Sequence, residues 1–213
     1  MINNMKKYYE RKFFSKKIFQ INNIVNTSNN KIKHYLNNNF TFLVVSRFVE
    51  SKNIDLVLES FKLIRNQHKV AKLVIIGQGY NANNLLKNID SKIKKHVKII
   101  SKLENWSNKF NKKKTYLVHP SFYEGQPNVV LEAAFSKLPI IISKIPAHTD
   151  IFSKNSCIYF DPFNLNDLNS KMTLCLKESN AIKNKRVNLA KKKLRLFSIK
   201  SVMNKYNKFF NFF

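Results

Sequence analysis

Residues 40–67 of the chain read FTFLVVSRFVESKNIDLVLESFKLIRNQ. The first part contains an unbroken apolar run, Phe42–Val45, which is typical of a strand that is buried on both faces of a sheet. From Ile54 onwards, apolar residues recur at helical spacing and predict an amphipathic helix over 54–67. The polar loop between them carries Arg47 and Lys52. Strand, loop and helix in this order form the unit from which parallel sheets are built.

The same alternation continues along the chain. Apolar runs predict further strands at 73–76, 97–100, 115–118, 139–142 and 157–160. Helices are predicted over 81–95, near 104–113, from Pro127, and over 164–178, 181–195 and 199–211. This alternation predicts an α/β fold, a Rossmann-like parallel sheet with helices on both faces. We expect three parts: 1–39 as the end of a preceding domain with a linker, 40–195 as the sheet domain, and 196–213 as a C-terminal helix.

The composition excludes several classes of protein. Apolar residues make up 44% of the chain, enough for a core, and the two cysteines, Cys157 and Cys175, form neither a disulfide framework nor a metal-binding spacing. The net charge of +27 would suit nucleic acid, but Lys outnumbers Arg by 34 to 5, so nucleic acid is a disfavoured partner. With neither a signal peptide nor a membrane span, we expect a cytoplasmic location.

In an open parallel sheet, ligands bind beyond the carboxyl ends of the strands. Arg47 and Lys52 follow the first strand and suit a diphosphate, although two solvated cations would look the same in the sequence. Gly77 and Gly79 follow the second strand, where they either admit a phosphate or simply form a turn. His119 ends the fourth strand, and a structural or solvated role is favoured for it over catalysis.

The loop after the fourth strand contains the densest group of candidate residues, HPSFYEGQPNVVLEAA over 119–134. Glu124 lies just before the helix that begins at Pro127, and Glu132 lies within that helix among apolar neighbours. A carboxylate there is unfavourable unless it is hydrogen-bonded, and ligand hydroxyls, a lysine or a narrow wet stripe could each satisfy it. The start of the helix offers the N–H groups of Asn128 and Val129 to an anion.

The pattern PSxxEGxPxxxxEA over 120–133 resembles the signature of the family 4 (group 1) glycosyltransferases of the GT-B type, retaining enzymes whose C-terminal domain binds the donor. Arg47 with Lys52, VIIGxG at 74–79, LPII at 138–141 and IYFDP at 158–162 resemble other motifs of that family in the same order. The resemblance covers residues 40–178. The chain departs from the family at Asn53 and at Lys137-Leu138 before Pro139, where glycine is common.

The resemblance implies a role for each matching residue. Sugar would pass from a nucleotide-sugar donor with retention of configuration, in surface polysaccharide or lipopolysaccharide synthesis, with no metal and no other cofactor. Glu124 would contact the transferred sugar, while Arg47 and Lys52 would neutralise the diphosphate leaving group. Glu132 would bind the ribose hydroxyls. The other donor-binding positions are Gly77, Gly125, Asn128 and Val129.

The family binds its acceptor mostly through a first domain, of which residues 1–39 resemble only the end. The leading hypothesis is therefore the donor-binding half of a glycosyltransferase. The alternatives are a non-catalytic sugar-nucleotide-binding subunit or truncated remnant that needs a partner, and a basic nucleic-acid-binding module. The expected partners are a nucleotide-sugar, a separate acceptor-binding domain or chain, and an anionic membrane surface at the inner face of the membrane. The last two would meet aromatic and apolar residues of the C-terminal helix, namely Val202, Tyr206, Phe209, Phe210, Phe212 and Phe213.

Overall fold

The computed structural model describes residues 21–25, 39–69 and 71–211. In these residues the strands are β1 Thr41–Val45, β2 Lys72–Ile76, β3 Val97–Ile100, β4 Thr115–His119, β5 Ile140–Ser143 and β6 Ile158–Phe160. The helices are α1 Ile54–Gln67, α2 Ala82–Asn88, α3 Ser91–Lys94, α4 Asn128–Phe135, α5 Pro146–Thr149, α6 Leu165–Lys177, α7 Asn180–Lys192 and α8 Ile199–Phe210. Short 3₁₀ helices lie at Glu50–Lys52, Trp106–Asn108 and Lys193–Phe197.

All strands of the sheet are parallel, in the order β3-β2-β1-β4-β5-β6. This confirms the predicted α/β fold. The strand order reverses between β1 and β4, whose pairing sets Thr41 opposite Thr115 and Leu43 opposite Leu117. The loops after these two strands therefore leave the sheet side by side, at the position where open α/β sheets form a ligand crevice.

Helices cover both faces of the sheet because side chains alternate along each strand. Phe42 and Val44 of β1 join one buried cluster, which includes residues of α1 and α6. Leu43 and Val45 join the other, which includes residues of α4, α7 and the Lys193–Phe197 turn. Phe42, Leu43 and Val44 are fully buried, so the apolar run at β1 reflects contacts on both faces.

Two of the predicted helices have different limits in the structure. The helix predicted over 81–95 is wrong as a single element, because the chain breaks at Ile89 and Asp90 into α2 and α3. The Asp90 carboxylate accepts a hydrogen bond from Lys92 N at 2.8 Å, which caps α3. The helix predicted near 104–113 is a single 3₁₀ turn that follows Asn105 in a left-handed conformation. The short α5, which begins at Pro146, was not predicted.

The described part of the predicted linker packs against the sheet domain. Val25 is buried in the same cluster as α4, and Asn23 N donates to Gln126 Oε1 at 3.0 Å. Asn22 Nδ2 donates to Leu196 O at 3.4 Å, which places this segment next to the turn before α8. The remainder of 1–39 lies outside the described residues, and the three-part division stays a prediction.

One side of the C-terminal region carries exposed apolar side chains that we call the C-terminal stripe: Leu196, Ile199, Met203, Tyr206 and Phe210. Val202 is buried, so its expected place in an exposed patch is wrong. Phe209 is partly buried, and Phe212 and Phe213 lie outside the described residues. None of the helices in the described part of the chain is both long and apolar enough to cross a membrane.

Both departures from the family's glycines lie at or beside a left-handed backbone position. Asn53 has a φ of 49° and Lys137 a φ of 60°. Asn tolerates this region better than most residues, and Asn53 Nδ2 also donates to Pro162 O at 2.9 Å. Lys137 ends α4, where its N–H donates to Ala134 O, in the position that glycine usually takes. A side chain with a Cβ is unfavourable there by roughly 1–2 kcal/mol.

We expect Lys137→Gly to raise the free energy of unfolding by about 1 kcal/mol, because the relief of left-handed strain exceeds the added freedom of the unfolded chain. Urea denaturation measures the change. Lys137→Ala is the matched control, since it removes the same charge but keeps the Cβ, and we expect it to give no such gain. Equal stabilisation by Ala and Gly would contradict the strain argument.

Candidate functional site

The carboxyl edge of the sheet brings together the loops that follow β1 and β4. Lys52 ends the 3₁₀ turn of the first loop, and Glu124 lies in the second. Phe122 N donates to Ser51 O at 3.0 Å, so the two loops are also joined through their backbones. Residues from two predicted motifs, far apart in the sequence, thus share one site.

Glu124 is anchored through a single carboxylate oxygen. Oε1 accepts hydrogen bonds from Lys52 Nζ at 2.5 Å, from His119 Nε2 at 2.8 Å and from Ser121 Oγ at 2.8 Å. The second oxygen, Oε2, makes no hydrogen bond with any residue that the structure describes. Burial raises the pKa of Glu124, but the bonds from His119, Lys52 and Ser121 outweigh it and bring the pKa to about 2. Glu124 is therefore an anion with one oxygen available.

A second layer of side chains supports this anchor. Ser143 Oγ donates to Ser121 O at 2.6 Å, which fixes the start of the loop. The ring of His148 meets that of His119 edge to face, with 5.4 Å between centroids. His148 is fully buried, and burial, followed by the neighbouring His119, lowers its pKa to about 4. His148 is consequently neutral near pH 7, and its Nδ1 donates to Ser143 O at 2.7 Å.

Glu132 also has one oxygen held by the protein. Trp106 Nε1 donates to Glu132 Oε2 at 2.7 Å, and Oε1 has no hydrogen-bond partner among the described residues. No cation of the described chain forms a salt bridge with this carboxylate, and burial raises its pKa despite the bond from Trp106. Neither a lysine pair nor an isolated carboxylate describes Glu132 correctly, because an indole satisfies half of it.

Arg47 occupies the same edge but stands apart from the Glu124 cluster. Its side chain is exposed and makes no hydrogen bond or ion pair with the described residues. Its loop is fixed by two of the chain's three glycines. A Cβ on Gly77, which has a φ of 151°, would lie 1.8 Å from Ser46 O, and a Cβ on Gly79 would lie 2.5 Å from Phe48 O. These glycines allow the loops after β1 and β2 to pack closely, which sets the base from which Arg47 projects.

The start of α4 lies beside Glu124. Gly125 is exposed and faces open space, since a Cβ there would meet no atom within 4 Å. Asn128 N already donates to Gln126 O at 2.9 Å, so this amide is not free as expected. Val129 is the next residue of the first turn, where helix N–H groups lack partners within the helix. Gln126 Nε2 donates to Asn128 Oδ1 at 3.0 Å, which orders the surface of this turn.

Three partners of the two carboxylates were not predicted from the sequence. Trp106, His119 and Ser121 all bind a glutamate that the motif identified. Ser121 and His119 lie within or next to the motif, so its local spacing could have indicated them, whereas nothing in the sequence near Trp106 points to Glu132. In the described ranges, no three His, Cys, Asp or Glu side chains converge to hold a metal ion.

The chain belongs to the family of group 1 glycosyl transferases, whose family model matches residues 26–194. It is 32% identical over 152 residues to UDP-Gal:α-D-GlcNAc-diphosphoundecaprenol α-1,3-galactosyltransferase of Escherichia coli, which covers 66% of the chain and 36% of that protein. It is 31% identical over 129 residues to an uncharacterized glycosyltransferase of Methanocaldococcus jannaschii, which covers 58% of the chain and 32% of that protein.

The fold matches that of a solved GT-B glycosyltransferase. The crystal structure of Staphylococcus aureus TarM in complex with UDP, fondaparinux and α-GlcNAc-glycerol superposes with a TM-score of 0.81 at 24% identity. The match covers 98% of this chain and 42% of that one. The chain thus spans 32–36% of the two curated relatives above, and less than half of TarM.

Trp106 is the only tryptophan of the chain and so reports on Glu132 directly. We expect its fluorescence to change in a pH titration with a midpoint above about 4.3, the ordinary glutamate value, because burial raises the pKa of Glu132. Glu132→Gln keeps the shape of the side chain but cannot titrate, and should abolish the transition. A transition that persists in this variant would show that another group is responsible.

Proposed function

We propose that the chain is the donor-binding half of a retaining glycosyltransferase that uses a nucleotide-sugar. The observation that carries this proposal is the matched state of Glu124 and Glu132. Each carboxylate has one oxygen fixed by protein donors and the other turned to no protein partner. Oxygens of this kind are suited to accept hydrogen bonds from ligand hydroxyls, and sugars and riboses present hydroxyls in pairs.

The contrast between the two carboxylates supports the division of roles. Glu124, with a pKa of about 2, keeps its negative charge beside the transferred sugar, where positive charge develops on the reacting carbon. Glu132 has no salt-bridge partner, and a raised pKa suits a hydrogen-bonding role on the ribose. Gly125, Asn128 and Val129 would line the sugar and phosphates at the start of α4, and Gly77 the far side of the site.

Arg47 and Lys52 are proposed to neutralise the diphosphate leaving group. Both project from the loop after β1, Arg47 as a planar fork and Lys52 as a point charge. Charge stabilisation by such groups needs no metal ion, and we propose that the reaction uses none and no other cofactor.

The acceptor is proposed to belong to a surface polysaccharide or lipopolysaccharide under assembly at the cytoplasmic face of the membrane. The E. coli relative, by its name, transfers galactose from UDP-galactose to a diphosphoundecaprenol-linked sugar, and an S. aureus relative acts on poly(ribitol-phosphate). In this proposal a separate domain or chain binds the acceptor, and the C-terminal stripe contacts that domain or an anionic membrane surface. Lys200, Lys205 and Lys208 lie along the same helix and match such a surface in charge.

Titration of the purified chain with UDP-, GDP- and ADP-sugars tests the proposal. We expect one class to bind, and Glu132→Gln to weaken that binding about tenfold or more, through loss of a charge-assisted hydrogen bond worth roughly 1.5–3 kcal/mol. Thermal unfolding of the variant is the control for folding. Absence of binding to every donor would overturn the proposal. Binding without transfer, even when the acceptor domain is supplied, would favour the non-catalytic subunit.

Arg47→Ala and Lys52→Ala should each weaken binding of the diphosphate donor while leaving the affinity for the free nucleoside within about twofold, because both cations are assigned to phosphate alone. Calorimetry with the nucleoside, the nucleotide and the nucleotide-sugar separates the contributions. Lys98→Ala, on the edge strand β3, is the matched control for a loss of charge elsewhere. Equal losses for nucleoside and nucleotide-sugar would mean that Arg47 and Lys52 act through the structure instead.

A further inference from the structure

We infer that His119 is the positioning residue of Glu124, and that it keeps this carboxylate in place when Lys52 shares its hydrogen bonds with the donor's diphosphate. The inference rests on the proposed function, in which Lys52 meets the phosphates and Glu124 meets the sugar. It assigns to a buried histidine the task of keeping those two roles separate.

The two residues assigned to different parts of the donor are bonded to each other. Lys52 Nζ lies 2.5 Å from Glu124 Oε1, and the side chains are only 13% and 12% exposed. At this distance the charge of Lys52 is largely neutralised by Glu124. A diphosphate can recruit the ammonium group only by drawing it at least partly away from the carboxylate. Glu124 then needs another anchor if Oε2 is to keep its orientation.

His119 is placed to provide that anchor. Its Nε2 lies 2.8 Å from the same Oε1, and because an ionised carboxylate can only accept, Nε2 carries the proton. His119 is the last residue of β4, which pairs with Ile142 of β5, so its backbone is fixed by the sheet. The ring is 3% exposed and rests against His148. Ser121 shares the task, but it lies in the loop and not on a strand.

The state of the two rings argues against a role in packing alone. Nδ1 of His119 and Nε2 of His148 are buried without a hydrogen-bond partner among the described residues. Unpaired buried nitrogens are unfavourable, and an apolar side chain would fill the same space without them. What the imidazole of His119 adds over such a side chain is the N–H directed at Glu124 Oε1. Lys52 can move with its flexible stem, whereas this donor cannot.

The test compares UDP with UDP-sugars in variants at this position. UDP, UDP-galactose and UDP-N-acetylglucosamine are titrated against the full chain, with affinity followed by calorimetry and by Trp106 fluorescence. We expect His119→Ala to weaken the best UDP-sugar on the order of tenfold, the loss typical of a hydrogen bond to a charged group, and UDP by less than about threefold. His119→Gln, which restores an N–H donor, should recover most of the loss. His96→Gln, at the amino end of β3, is the control and should change neither affinity.

The split between the two ligands separates positioning from general stability. Equal losses for UDP and UDP-sugar, or a His119→Gln variant as weak as His119→Ala, would overturn the inference. If His119→Ala does not fold, as judged by thermal unfolding, His119→Met preserves the bulk without the donor and replaces it. If the wild-type chain binds none of the ligands, the proposed function fails for these donors. If it binds a UDP-sugar and the His119 variants bind it equally well, only the role of His119 fails.

Discussion

The parallel pairing of β1 with β4 is the constraint on which the site depends. The sheet extends in opposite directions from this pair, so the loops after β1 and β4 open over a common crevice. Lys52 and Glu124, 72 positions apart in the chain, meet there at 2.5 Å. Without this pairing the two loops would be separate polar segments on the surface. With it, a cation, an anion and the start of α4 share one small region of a rigid edge.

The two glutamates of the site show how one helix and its preceding loop can create opposite electrostatic environments. Glu124 is surrounded by donors, including a lysine, and stays ionised at any ordinary pH. Glu132, one residue past the second turn of α4, has only an indole N–H beside it, and burial makes its charge less favourable. Pairs of carboxylates whose pKa values are moved apart are a common mark of divided chemical roles. Here the division follows from which elements cover each side chain.

Glycine is scarce in this chain, and its use shows where the backbone has least freedom. Gly77 and Gly79, two of three glycines, lie where the loop after β2 approaches the loop that carries Arg47, and no side chain would fit there. At Asn53 and Lys137 a left-handed turn is formed without glycine. Close approach of two backbones cannot be relieved by a different side chain, whereas a left-handed φ is only unfavourable. The composition of the chain thus changed the second kind of position and not the first.

The sequence alone determined the parallel sheet, most element boundaries and the identity of Glu124, Glu132, Arg47 and Lys52. Short apolar runs identify strands buried on both faces, and the spacing of the motif fixes the two glutamates relative to α4, because both signals are local. The break between α2 and α3, the single turn at Trp106, and the bonds from Trp106 and His119 were decided by the tertiary structure. Trp106 and Glu132 are 26 residues apart, and their contact exists only because the loop after β3 packs over α4. A hydrogen bond between distant segments depends on how whole elements pack, and no local pattern of residues records that packing.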